Sequence, residues 1–215
     1  MKNNDFVCLF SGGKDSAIAF ALASQQGQPL AIIHSMENEH ISYNHKQTKE
    51  IIETQSKAMN TPLEICIEKP KSTKFAYELI KKLKKYKTLN AKYLVTGTIY
   101  DMKANEFNRK MAESVGLSIK CPLWGMTDEM VIQQLEEKKI QSVISSINHD
   151  ALSKKWLGKL YDRYAYNEFV KLGIHPLGEK GEFHTTLVGA CFFKKDVKYR
   201  YSFLDDSNIT VELII

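Results

Sequence analysis

The sequence has few cysteines, and none of them are paired. Cys8, Cys66, Cys121 and Cys191 stand far apart in 215 residues, with no CxxC pair among them. Such spacing argues against a disulfide framework and for a reducing compartment, so a cytoplasmic protein is expected. No apolar run approaches the roughly 20 residues of a membrane span, and the apolar segment in MKNNDFVCLFSGG is too short for a signal peptide. Internal repeats, low-complexity tracts and flexible linkers are missing as well. Charge of one sign is not in large excess: Lys plus Arg total 30 against 25 for Asp plus Glu, a net charge of +5. That balance permits an acidic partner or a nucleic acid without arguing for either. What is present is an apolar content of 43%, which excludes intrinsic disorder.

Short apolar runs alternate with helical periodicity. Strands are expected over 6–10, 30–34, 62–67, 92–99, 117–121 and 141–147, with helices over 15–26, 44–59, 72–86, 105–114 and 128–138 between them. Gly27 is expected to cap the first helix, and Asn44 with Gln47 to cap the second. Strands separated by such helices predict an α/β fold, a Rossmann-like parallel sheet sandwiched by helices. After about residue 150 a helix over 161–172 and strands over 183–193, 198–204 and 210–215 predict a smaller, more antiparallel α+β region. The expected division is 1–125 and 126–215. Lys81, Lys82, Lys84 and Lys85 form a basic run that reads as a solvated helix face or as a dock for an acidic partner or RNA.

Ser11-Gly12-Gly13-Lys14-Asp15-Ser16 lies directly between the first strand and the first helix. Ligands bind at that end of an open α/β sheet. Glycines let successive N–H groups turn inward as an anion nest, and the helix start adds unpaired N–H groups and a positive dipole end. Lys14 adds a charge, and Ser11 and Ser16 add hydroxyls. A polyphosphate fits these donors. The spacing matches neither GxxxxGK[ST] nor GxGxxG. A second motif, Leu177 to Val188, reads LGEKGEFHTTLV. Gly178 and Gly181 allow tight turns, so Glu179 and Glu182 either converge on one cation or are solvated turn residues.

The SGGKDS string resembles the pyrophosphate loop of the ATP pyrophosphatase superfamily. Together with GEKGEFHT it resembles the diphthine–ammonia ligase family, and the likeness covers nearly the whole chain except the last strands. Ser35-Met36, His45, Gln55, Ala58 and Pro62 fit the family's second segment, and Val95-Thr96-Gly97 its fourth strand. Pro122-Leu123-Trp124-Gly125 and Trp156-Leu157-Gly158 fit two further strings. The resemblance implies an adenine nucleotide alpha-hydrolase-like fold, with 1–125 binding ATP and 126–215 facing the substrate. It also implies an AMP-forming ligase that adenylates the carboxylate of diphthine on elongation factor 2, releases pyrophosphate, and lets ammonia displace AMP to give diphthamide.

Under that resemblance Ser11, Gly12, Gly13, Lys14 and Ser16 hold the phosphates with Mg²⁺. Asp15 either places that ion or caps the helix. Ser35, Met36 and Gly97 lie near the adenine. Glu179 or Glu182 takes the proton of ammonium, with His184 a further candidate base. Trp124, Trp156, Phe183 and Thr185 face the acceptor, the aromatic rings suiting a trimethylammonium group. The absence of an N-terminal cysteine and of room for a glutaminase points to free ammonia, and the lack of paired cysteines weighs against sulfur transfer. Two other readings stay open: a related adenylating enzyme acting on another carboxylate or a tRNA base, and a nucleotide-binding regulatory module without turnover. No membrane partner is expected, and a homo-oligomer is left open.

Overall fold

The computed structural model describes residues 4–37, 47–67, 72–195 and 197–215. Five strands, β1 (Phe6–Leu9), β2 (Pro29–Met36), β3 (Leu63–Ile67), β4 (Tyr93–Val95) and β5 (Ser118–Lys120), form a parallel sheet in the order β3-β2-β1-β4-β5. The strand order reverses between β1 and β4, so the crevice at their carboxyl ends is where a ligand is expected. The crossovers are α1 (Lys14–Ser24), α2 (Lys49–Met59), α3 (Thr73–Thr88) and α4 (Met102–Glu113). Ser72 and Asp101 cap the last two, accepting from the N–H groups of Phe75 at 3.1 Å and Ala104 at 2.9 Å.

α1 is apolar nearly all round, with Ala17, Ile18, Ala19, Phe20, Ala21 and Ala23 all buried. A helix of that pattern must be covered on every side. One side packs on β1 and β4. The other is closed by α5 (Asp128–Glu137) and by β7 (Phe183–Gly189). One large core cluster therefore runs from Phe6, Phe20 and Val95 to Val131, Phe169 and Leu187. A second cluster fills the opposite face of the sheet, where Phe75, Leu79 and Leu83 of α3 meet Val7, Ile33 and Leu94.

β6 (Gln141–Ile147) does not extend the parallel series. It pairs antiparallel with β7, and α6 (Arg163–Lys171) lies between them in sequence. The apolar run of 141–147 has the same composition as a parallel strand, and only its partner distinguishes the two. A hairpin of β8 (Lys198–Phe203) and β9 (Ile209–Ile214) completes the described chain. β9 packs on α2, whereas β8 is exposed along its length.

Two expected caps differ. Gly27 does not cap α1; the C-cap is Gln25, in a right-handed helical conformation. Gly27 is instead a close approach, where a Cβ would meet the Asn4 carbonyl oxygen at 1.9 Å. α2 begins at Lys49 with Thr48 before it. Asn44 lies outside the described residues, and the Gln47 amide is used elsewhere, as described below.

Candidate functional site

Ser11 to Asp15 leaves β1 at the sheet's reversal point and enters α1. Gly12 adopts φ +83°, the left-handed region that disfavours a side chain. A Cβ there would also lie 2.2 Å from Gln47 Oε1 and 2.6 Å from Ile52 Cδ1. The Gly12 carbonyl accepts from the Leu187 N–H at 2.8 Å and from Gln55 Nε2 at 3.1 Å. Gln55 Nε2 also donates to the Leu187 carbonyl at 2.8 Å, and Gln47 Nε2 to the Thr185 carbonyl at 3.2 Å. The loop is thus held between α2 and β7. On its other side Gly97 lets the end of β4 abut the start of α1, because a Cβ would meet Asp15 O and Ser16 N at 2.8 Å.

A cleft of about 380 Å³ opens above this arrangement. Ser11, Asp15, Ser16, Ser35, Gly97 and Glu179 line it together with further polar residues such as Thr98, Asp101 and Asn108, and Phe75 and Phe107 form part of its apolar wall. Site candidates from both ends of the sequence therefore meet in one cavity. The volume falls within the ordinary range for small-molecule sites. Ser11 Oγ and Ser16 Oγ lie 3.1 Å apart, and Ser16 Oγ donates to the Gly13 carbonyl at 3.0 Å. Asp15 Oδ1 is buried with no hydrogen-bond partner, whereas Oδ2 pairs with Lys14 Nζ at 2.9 Å. Met36 is fully buried and, like Gly12 and Gly13, does not line the cleft.

Lys14 does not line the cavity. It is 4% exposed, and Nζ donates to the Leu177 carbonyl at 2.6 Å. The Tyr161 and Phe183 rings lie on it at 5.5 and 5.6 Å. Its backbone N–H donates to Thr185 Oγ1 at 3.1 Å.

The two motif glutamates separate. Glu179 reaches the cleft with its outer side in solvent. Partial burial, and then the Asp15 carboxylate, push its carboxyl up to about 7, against the lowering influence of Lys14. Glu182 is 7% exposed and does not line the cavity. Its oxygens accept from the N–H groups of His175 at 2.9 Å and Lys180 at 3.0 Å, so this carboxylate shapes the loop that carries Glu179. Strand alternation explains His184. Phe183 and Thr185 face Lys14, and His184, between them on β7, points to the other face and stays outside the cleft.

Among the aromatics, Trp156 packs on Phe169 at 4.8 Å and Phe169 on Phe183 at 5.0 Å, all within the core. Trp124 stands apart from that stack, 41% exposed on a turn closed by its N–H to the Cys121 carbonyl at 3.1 Å. None of these rings lines the cleft. His45 lies outside the described residues.

Gln47, Tyr161 and the group Tyr100, Asp128 and His175 carried no functional expectation. Tyr100 OH donates to Asp128 Oδ1 at 2.8 Å, and burial together with this bond pushes its hydroxyl up to about 12. His175 Nδ1 accepts from the Leu177 N–H at 3.3 Å, which leaves the proton on Nε2, 4.0 Å from Asp128 Oδ2. These residues tie the Glu179 loop to the start of α5 and to the β4–α4 connection. No short motif marks them, since their partners are distant in sequence. For Gln47 and Gln55 one signal existed: two long amides eight residues apart, one just before α2 and one on it, with a glycine loop needing cover.

Two family models match the chain. The diphthamide synthase N-terminal domain matches residues 4–119, and the diphthamide synthase C-terminal domain matches residues 127–206. No curated protein matches the sequence. Among solved structures, a predicted subunit of tRNA methyltransferase from Methanocaldococcus jannaschii is similar at 18% identity, covering 86% of this chain and 97% of that one with a TM-score of 0.45.

Proposed function

Because the chain belongs to the diphthamide synthase family, we propose that it is an ATP-dependent ligase that adenylates a carboxylate and then amidates it with ammonia. The acceptor we assign is diphthine on elongation factor 2. The observation that carries this reading is the shared cleft, where the phosphate loop at Ser11–Ser16 meets Glu179 from the C-terminal motif.

The hydroxyls of Ser11 and Ser16 and the amide groups opening α1 bind the β- and γ-phosphates, with Ser35 and the backbone at Gly97 nearest the adenosine. An oxygen of the acceptor carboxylate attacks the α-phosphorus, and pyrophosphate leaves with the bonding pair. Ammonia then attacks the acyl carbon, and AMP departs. Both steps are served by positioning and by donors fixed in advance of the reaction. Glu179, raised to about 7, is matched to taking the proton of ammonium near neutral pH.

Mg²⁺ fits the residues present. Asp15 Oδ1 is buried and unpartnered, and among the described residues no group of three metal-binding side chains forms a cage. Mg²⁺ is ordinarily held by one or two carboxylates together with substrate phosphates. Asp15 is the residue that would hold it, and the ion would supply charge neutralisation on the phosphates. Residues 1–125 then form the ATP-binding part and 126–215 the acceptor side.

The test is to supply the full chain with ATP, Mg²⁺, 15N-ammonium and diphthine-bearing elongation factor 2. AMP, pyrophosphate and a 15N-labelled amide in equal amounts are expected. ADP and phosphate in their place would sink the assignment. AMP formed only with another carboxylate or with tRNA would replace the acceptor and keep the chemistry.

A further inference from the structure

We propose that Lys14 is the positioning residue of the acceptor-side loop, holding Leu177 to Thr185 over the cleft, and is not a ligand of the nucleotide phosphates. This rests on the reading above for the role of that loop. A lysine in a phosphate loop ordinarily offers its ammonium to the anion as a point charge. Here Lys14 does not line the cavity, and its ammonium is already engaged. Nζ donates to the Leu177 carbonyl at 2.6 Å and to Asp15 Oδ2 at 2.9 Å. Tyr161 and Phe183 close over it, their ring centres 5.5 and 5.6 Å from Nζ. The charge is thereby desolvated, neutralised and cation–π stabilised where it stands. Moving it to a phosphate would leave the Leu177 carbonyl without its donor and uncover the aromatic pair.

The backbone of the same residue makes the second attachment. Its N–H donates to Thr185 Oγ1 at 3.1 Å. One residue at the start of α1 thus fixes both ends of the stretch that carries Glu179 and Glu182. Inside that stretch Glu182 gathers the N–H groups of His175 and Lys180, so the loop has an internal clamp and an external anchor. The anchor also connects the two ligand sites. The start of α1 is tied to Leu177 through one hydrogen bond, and Glu179 stands two residues further on.

The experiment compares the wild-type full chain with Lys14→Met, reading amide hydrogen exchange and ATP–Mg²⁺ affinity by calorimetry. The variant is expected to exchange about tenfold faster at the His175 and Lys180 amides, with amides of β1 and β4 unchanged, because only the local opening equilibrium is altered. Its ATP dissociation constant is expected to stay within about fivefold of wild type, since about 1 kcal/mol at most is then lost. A larger loss of affinity, or unchanged exchange at His175 and Lys180, overturns the proposal. Should Lys14→Met fail to fold, the wild type decides. In 15N-lysine-labelled protein the Lys14 ammonium signal is slow to exchange, and it stays so without phosphorus coupling when ATP is added; a coupling to phosphorus overturns the assignment. If the wild type binds no ATP, the functional reading falls, and the exchange comparison in the nucleotide-free protein alone decides the role of Lys14.

Discussion

Glu179 stands in the cleft in an environment that alters its chemistry. Solvent reaches it, yet partial burial and the Asp15 carboxylate hold its carboxyl at about 7, above the ordinary 4.5. A carboxyl raised in the folded state contributes stability below its unfolded value that is lost as pH rises through the folded one. Glu179→Gln is therefore expected to melt with wild type at pH 4 and above it at pH 8, the difference opening between about 4.5 and 7. Thermal melts at these pH values check this, and equal melting at pH 8 would remove the raised carboxyl. Gly12→Ala tests a different constraint. A methyl group at φ +83° meets Gln47 and Ile52, so a loss of at least about 1–2 kcal/mol in urea unfolding is expected, with loss of ATP binding. Wild-type stability in that variant would mean that the loop tolerates another shape.

At the scale of elements, β7 stands out because it closes the phosphate loop instead of another strand edge alone. Gln55 on α2 spans Gly12 and Leu187 with one amide nitrogen. Gln55→Ala leaves the buried Leu187 carbonyl without that donor, and a cost of about 1–3 kcal/mol follows, read as a lower urea midpoint at unchanged slope. The elements themselves were legible in the sequence. FVCL is a short apolar run bounded by turn residues, QSVISSI carries β-branched residues between short polar ones, and α3, α5 and α6 carry a clear stripe and a capping residue. Pairing was not legible. Nothing within 141–147 distinguishes a parallel from an antiparallel partner, because that depends on β7, more than thirty residues later. The placement of Ser11, Asp15 and Ser16 at the cleft was legible because they sit together in one short loop between a strand and a helix. The direction of Lys14 was not, since its acceptor is the carbonyl of Leu177, 163 positions away, and main-chain acceptors leave no mark in sequence. The basic helix also reads differently in the structure. Lys82 and Lys85 both pair with Glu64 and Lys87 reaches the Gly116 carbonyl, so part of the run is used internally.

Across the whole molecule, the larger core cluster joins the parallel sheet to α5, α6, β6 and β7 through α1. Residues 1–125 expressed alone would leave the outer face of α1 uncovered, including Phe20, which in the full chain touches Phe192 at 4.9 Å between ring centres. We predict that this fragment lacks a cooperative thermal transition, while the full chain melts in one step by both circular dichroism and Trp156 fluorescence. A fragment with sharp, dispersed amide resonances would show that α1 does not depend on the second half. None of the helices among the described residues is long and apolar enough to cross a membrane.

The bond from Lys14 to Thr185 closes a loop of 171 residues. During synthesis the first strand and the Ser11–Ser16 loop leave the ribosome long before the residues that shape that loop. Under the proposed function, nucleotide competence therefore waits for Thr185, 171 positions after Lys14, and a nascent chain that stops short of it has no finished site. Chains stalled on the ribosome before Leu187 has emerged should retain no labelled ATP, whereas full-length chains held by a long C-terminal tether should.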